Sequence, residues 1–204
     1  MAGRARRPDA PERPYAPERF EYRIWGAAFP ELPAPEPSAE SAEVYFLPQH
    51  DGVNAKIRRN ALEIKRLLGV RDGLQHWLPA FRCPLPLPAA VIADELCPAL
   101  DVPPPRLGRK RYDLAQLTAE VAPALPRIVV VPLRKRRRQL EIDGARAERT
   151  QLTIGAHALE SLAVEAEAFA AAARATERLG LRRAANLDYV RALRRILAGQ
   201  PLQP

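Results

Sequence analysis

The stretch "AKIRRNALEIKRL", Ala55–Leu67, carries six charged side chains in thirteen residues, and their spacing is not that of a helix surface. Lys56 and Arg58 stand two apart, as do Glu63 and Lys65, while Ile57, Leu62 and Ile64 take alternate positions. Period two belongs to a strand, whose successive side chains point to opposite faces. Asn60 falls between the two halves and tolerates the left-handed backbone a turn needs. The stretch predicts a hairpin with one apolar face and one face bearing Lys56, Arg58, Glu63 and Lys65.

A second hairpin follows the same rule. "RIVVVPLRKRRRQLEI" (127–142) is β-rich, and its Pro132 suggests an edge or a bulge. Asp143-Gly144 is the strongest turn signal of the chain, and "AERTQLTI" (147–154) continues beyond it as a strand. Lys135, Arg137, Glu141 and Asp143 share one parity, with Leu140 and Ile142 on the other. Glu148 lies just past the turn, and Glu165 lies in "SLAVEAE" (161–167), a candidate last strand. Two more strands read from "RFEYRIWG" (19–26) and "AEVYFLP" (42–48), joined by a Pro-rich connection over 29–41.

Helices are expected over 89–96, stopped by Pro98, and over 112–121. Two more are expected at the C-terminal end, 166–179 closed by Gly180 and 187–197 closed by Gly199. Residues 1–17, with Pro8, Pro11, Pro14 and Pro17 at every third position, read as an extended basic tail. One domain over 18–198 and a short tail over 199–204 complete the organisation. No run is long and apolar enough for a membrane helix, and no signal-peptide pattern opens the chain. Cys83 and Cys97, without metal-ligand spacing, fit two free thiols in a reducing cytoplasm.

The net charge of +8 favours an anionic partner without choosing one. Charged side chains recur at strand positions in four segments, always beside an apolar face, which points to an enclosed polar interior. Cations there would bind phosphate oxygens, and carboxylates would hold a divalent ion that bridges phosphates. Mixed charge suits a metal–polyphosphate complex better than nucleic acid, whose backbone the carboxylates would repel. The basic runs 106–111 and 134–138 support nucleic-acid binding, but neither contains an aromatic for base stacking.

"KIRRNALEIKRL", "RRRQLEIDGARAERTQL" and "SLAVEAE" with the following "ERLGL…NLDYVRAL" resemble the strands and C-terminal helices of CYTH domains, the triphosphate tunnel metalloenzymes. The resemblance runs over about Glu18 to Leu197. It implies an α+β fold, an antiparallel β-tunnel of about eight strands with helices packed outside and two C-terminal helices. It further implies a triphosphate or polyphosphate anion in the tunnel and a phosphohydrolase working with Mg²⁺ or Mn²⁺. Lys56, Arg58, Lys65 and Arg137 match basic phosphate-binding positions, and Lys135 adds to the clamp. Glu21, Glu63, Glu148 and Glu165 match acidic, metal-binding positions, with Glu148 and Glu165 the catalytic candidates. The departure is on the first strand, where the family's ExExK is here Arg19-x-Glu21-x-Arg23. A cation in place of a carboxylate weakens divalent-metal binding. A non-catalytic binding module, or a structural subunit whose Pro/Arg tail meets a protein partner, is therefore the alternative expectation.

Overall fold

Eight antiparallel strands close into a barrel in the computed structural model, which describes residues 14–26, 29 and 39–202. In chain order the strands are β1 (Arg19–Trp25), β2 (Ala39–Leu47), β3 (Val53–Arg58), β4 (Ala61–Arg71), β5 (Leu74–Pro84), β6 (Leu87–Pro88), β7 (Arg111–Tyr112), β8 (Val129–Ile142), β9 (Ala145–Ile154) and β10 (His157–Ala166). The barrel order is β1-β10-β9-β8-β2-β3-β4-β5, while β6 and β7 pair as a separate two-residue ribbon. Closure gives each barrel strand a neighbour on both sides.

The first hairpin forms as its alternation dictates. Lys56 faces Glu63 across β3 and β4, Ile57 faces Leu62, and both turn residues, Arg59 and Asn60, take positive φ. The second hairpin turns at Asp143-Gly144, with φ of 55° and 76°. Pro132 lies at a local edge of β8, paired with Val44 of β2 on one side only. It sits where β9 has already ended, because the β8–β9 register starts at Arg134↔Thr153, so its missing N–H disrupts no ladder there.

Four differences from the sequence expectation have local causes. β2 starts at Ala39, inside the stretch read as a Pro-rich connection. β5 is an additional strand, disguised by Pro79 and by register shifts between Ile64 and Arg66 and between Leu67 and Gly69. The helix expected to stop at Pro98 runs from 89 to 99. A π-turn over Ile92–Leu96 precedes Pro98, which then occupies the first turn of the next stretch, where a missing N–H is harmless. The helix expected to start at Tyr112 starts instead at Leu114, because Tyr112 pairs in β7 and Asp113 caps the helix, accepting from the N–H of Gln116 at 2.8 Å. Of the expected tail, residues 1–13 lie outside the described residues. Within 14–17, the Tyr15 N–H donates to the Pro79 carbonyl at 3.0 Å.

Helical segments cover the barrel on different sides. Those over 89–99 and 114–124 pack on the outward side chains of β3 and β4, including Ala55, Ile57, Leu62 and Ile64. The helix Phe169–Arg178 lies on Tyr22, Ile24, Ala147, Leu162 and Val164 of the opposite wall. The last helix, Tyr189–Leu197, does something different. Its buried Val190 and Leu193 meet Tyr45, Leu47, Val131, Leu133, Leu152 and Ile154, which have the inward parity of their strands. The indole N–H of Trp25 donates to the Leu187 carbonyl at 2.7 Å and fixes the approach of this helix. One end of the barrel is thereby plugged with apolar side chains, and the charged side chains occupy the other.

Leu193 is fully buried in that plug, whereas Leu197 on the same helix is 52% exposed. Leu193→Ala is expected to cost about 2–5 kcal/mol in urea unfolding, and Leu197→Ala less than about 0.5 kcal/mol. Equal small losses would show that the helix does not seal the barrel.

Candidate functional site

The lumen is organised around one carboxylate. Glu43, from the middle of β2, is 1% exposed. Its oxygens lie 3.4 Å from Lys56 Nζ and 3.1 Å from Lys135 Nζ, and it also pairs with Arg137. The Tyr45 hydroxyl, two residues along the same strand, accepts from Lys135 at 2.8 Å and from Lys56 at 3.3 Å. Lys135 Nζ stands 3.3 Å from the centroid of the Tyr189 ring, so the apolar plug ends in a surface that suits a cation.

Nearer the open mouth the carboxylates pair one by one with guanidinium groups. Glu21 accepts from Arg23 Nε at 2.9 Å. Glu148 lies 3.7 Å from both Arg23 and Arg137, and accepts from Gln139 at 2.6 Å and Thr150 at 3.1 Å. Glu63 pairs with Arg58 at 2.8 Å and Arg82 at 3.8 Å, and Glu165 pairs with Arg146. Lys65 is in no ion pair among the described residues. A cavity of about 90 Å³ remains between these groups, bounded at its base by Tyr189 and Asp188.

Charge and burial compete throughout. Burial alone would raise the Glu43 carboxyl, but Lys56, Lys135 and Arg137 together hold it far below the usual carboxylate range. Burial opposes ionisation of Glu148 as well, yet Arg23, Arg137 and the Gln139 hydrogen bond bring it down to about 2. For Lys56 and Lys135 burial wins over the attraction of Glu43 and lowers both to about 7. At the mouth Tyr15 is raised to about 12, by burial first and then by the negative charge of Glu63.

The structure brings Lys56, Arg58, Lys65, Lys135, Arg137, Glu21, Glu148 and Glu165 to this single cavity, with Glu63 at its rim beside Arg58. Glu141 and Asp143, of the same parity as Lys135, do not join them. Both are exposed, and Asp143 pairs with Arg178 on the outside of the barrel at 2.8 Å. Sequence reasoning missed Glu43, Tyr45, Arg146 and Tyr189. Ser41, Glu43 and Tyr45 at period two were the available signal, hidden because a single carboxylate in "AEVYFLP" reads as an ordinary strand position. The run 134–138 divides by parity, with Lys135 and Arg137 in the lumen and Arg134, Arg136 and Arg138 exposed on the outer wall.

A divalent ion needs several oxygen donors converging on one point. Among the described residues no three Asp, Glu, His or Cys side chains gather in that way. Each expected donor, Glu21, Glu63, Glu148 and Glu165, is directed at an arginine. The residues as placed do not fit Mg²⁺ or Mn²⁺.

A closed eight-stranded antiparallel barrel, flanked by helices and lined with paired cations and carboxylates, is the architecture the sequence resemblance implied. The fold is α+β, a closed eight-stranded antiparallel barrel with helices packed around it. No protein-family model and no curated protein sequence matches the chain. Among solved structures it is similar to HpAC1 from Hippeastrum, an adenylyl cyclase candidate described as having a dominant triphosphatase activity. The identity is 11%, covering 92% of this chain and 99% of that one, with a TM-score of 0.46. It is also similar to a conserved hypothetical protein from Pyrococcus furiosus, at 12% identity over 80% of this chain and 90% of that one, with a TM-score of 0.38. No helix among the described residues is long and apolar enough to cross a membrane.

The lowered lysines give the site a pH signature. Folded Lys56 and Lys135 titrate at about 7 instead of their ordinary 10.5. Over that interval the unfolded chain binds more protons than the folded one, so stability rises with pH. The urea midpoint is expected to climb between about pH 7 and pH 9.5, below the range in which tyrosines ionise. A flat or falling profile would contradict the lowering of Lys56 and Lys135 by burial.

Proposed function

We propose that this tunnel is a binding site for a phosphate-rich anion, with a phosphoryl group held in the lumen between Arg58, Lys65 and Arg146. The carrying observation is Lys65, a lumen ammonium that no carboxylate neutralises in an ion pair while every lumen glutamate already has its cation. Burial lowers Lys65 and Arg146 from their ordinary values, and the charge of Arg58 adds to the effect in each case. Three cations from β3, β4 and β9 held near one another are stabilised by an anion that supplies several oxygens at once. The cavity has room for about three waters, hence for a phosphoryl group, with the rest of the ligand at the mouth.

Binding without turnover is the reading the donor geometry favours. Hydrolysis through Glu148 and Glu165 would require both to leave their arginines, and no described group near them is poised to activate a water. A nucleic-acid ligand is disfavoured by the same geometry, because two of the five cations of the basic run 134–138 are inside the barrel.

Calorimetric titration with inorganic tripolyphosphate tests the proposal. One site is expected, weakened by about tenfold or more, or about 1.4 kcal/mol, in Lys65→Ala, and unchanged in Arg134→Ala on the outer wall. Equal weakening by both substitutions, or by Arg134→Ala alone, would move the anion from the lumen to the surface. Phosphate release that needs Mg²⁺ or Mn²⁺ and is lost in Glu148→Gln would replace binding with hydrolysis.

A further inference from the structure

Arg23 is the lumen cation that stands between Glu21 and Glu148. It follows Glu21 by one inward step on β1, and its side chain is only 6% exposed. Nε donates to Glu21 at 2.9 Å, one terminal nitrogen donates to Ser161 Oγ of β10 at 2.9 Å, and the other lies 3.7 Å from Glu148 of β9. The guanidinium carbon lies 4.5 Å from the centroid of the Tyr189 ring, which forms the floor beneath it. The Arg23 N–H is tied in turn to Asn186 Oδ1 at 2.8 Å, so the strand itself is fixed at this residue. One cation thus joins carboxylates from two strands that no hydrogen-bond register connects, since β10 runs between β1 and β9.

Two buried carboxylates facing one lumen repel unless a cation lies between them. A divalent ion can serve, but it needs further oxygen ligands arranged around it. A guanidinium serves with its own fork of donors, stays charged at every physiological pH and requires no free metal. Displacing it would break the contacts to Glu21, Ser161 and Tyr189 and leave a buried arginine unpaired, which is strongly unfavourable.

We infer that the Arg23 guanidinium is the resident counter-cation of the Glu21–Glu148 pair, standing between the two carboxylates in place of a divalent ion, so that the tunnel holds its anion without metal. This rests on the anion-binding reading above for the ligand, although the exclusion of metal by Arg23 is testable by itself.

Two measurements on the full chain separate the two ideas. In the first, Mn²⁺ alone is titrated and its free-ion electron paramagnetic resonance signal followed. The wild-type protein is expected to leave the signal undiminished, and Arg23→Met, which frees Glu21 and leaves Glu148 with Arg137 as its remaining cation, to bind Mn²⁺ at least about tenfold more tightly. Stoichiometric Mn²⁺ uptake by the wild type overturns the inference, and this arm decides even if Arg23→Met fails to fold. In the second, tripolyphosphate is titrated in EDTA and then with Mg²⁺. Affinity in EDTA is expected to equal or exceed that with Mg²⁺, which complexes the free anion. Binding tighter with Mg²⁺ by about tenfold or more overturns the inference but keeps the anion-binding reading. Absence of tripolyphosphate binding in both conditions overturns the anion-binding reading, and the Mn²⁺ arm then decides the role of Arg23.

Discussion

The carboxylate of Glu43, caged by Lys56, Lys135 and Arg137, is the interaction on which the rest of the structure depends. Its strand, β2, pairs with β3 on one side and β8 on the other, and the three cations come from those two neighbours. No isolated carboxylate or ammonium survives such burial, because the desolvation cost of each exceeds what a hydrogen bond returns. Together, and with the Tyr45 hydroxyl accepting from both lysines, they form a network in which each charge justifies the burial of the others. Barrel closure and lumen charge are therefore one problem with one solution.

That solution divides the interior into two zones. Below the cage, the inward positions of β2, β8 and β9 turn apolar, and the helix Tyr189–Leu197 seals them. Above it, glutamates and arginines alternate toward the mouth, and the pairs Glu63–Arg58 and Glu165–Arg146 line opposite walls. Among the described residues the open end of the lumen is the charged one. There Lys65 is in no ion pair among the described residues, and Arg58 Nε and Arg146 Nε lack hydrogen-bond partners, which is the basis of the anion-binding reading proposed above. Arg23, seated between Glu21 and Glu148, is the cation we infer to stand there in place of a metal.

Much of this was legible in period-two alternation. "AKIRRNALEIKRL" gave its hairpin, its turn and its inward face, because Lys56, Arg58, Glu63 and Lys65 each contradict an ordinary apolar strand. Glu43 was illegible for the opposite reason, being one carboxylate in an otherwise apolar strand whose partners lie 13 and 92 or more positions away. β5 escaped notice because Pro79 and two register shifts break its alternation. The last helix was readable as amphipathic, but its pattern does not tell an outer wall from an open end. Only the inward parity of Leu47, Val131 and Leu152, once the strands are paired, shows that it is a plug. The pairing of each lumen glutamate with an arginine was likewise invisible, since a sequence shows charges but not which of them meet.

A double-mutant cycle on Glu43→Gln and Lys135→Met, read by urea unfolding, tests the cage most directly. Glu43→Gln leaves three buried cations without their carboxylate and is expected to cost about 3–5 kcal/mol, whereas Lys135→Met leaves Glu43 paired with Lys56 and Arg137 and is expected to cost less. The double variant is expected to cost less than the sum of the two by at least about 2 kcal/mol, well outside the scatter of independent sites. Additivity within about 0.5 kcal/mol would contradict the claim that this buried carboxylate and its lysine hold the tunnel together.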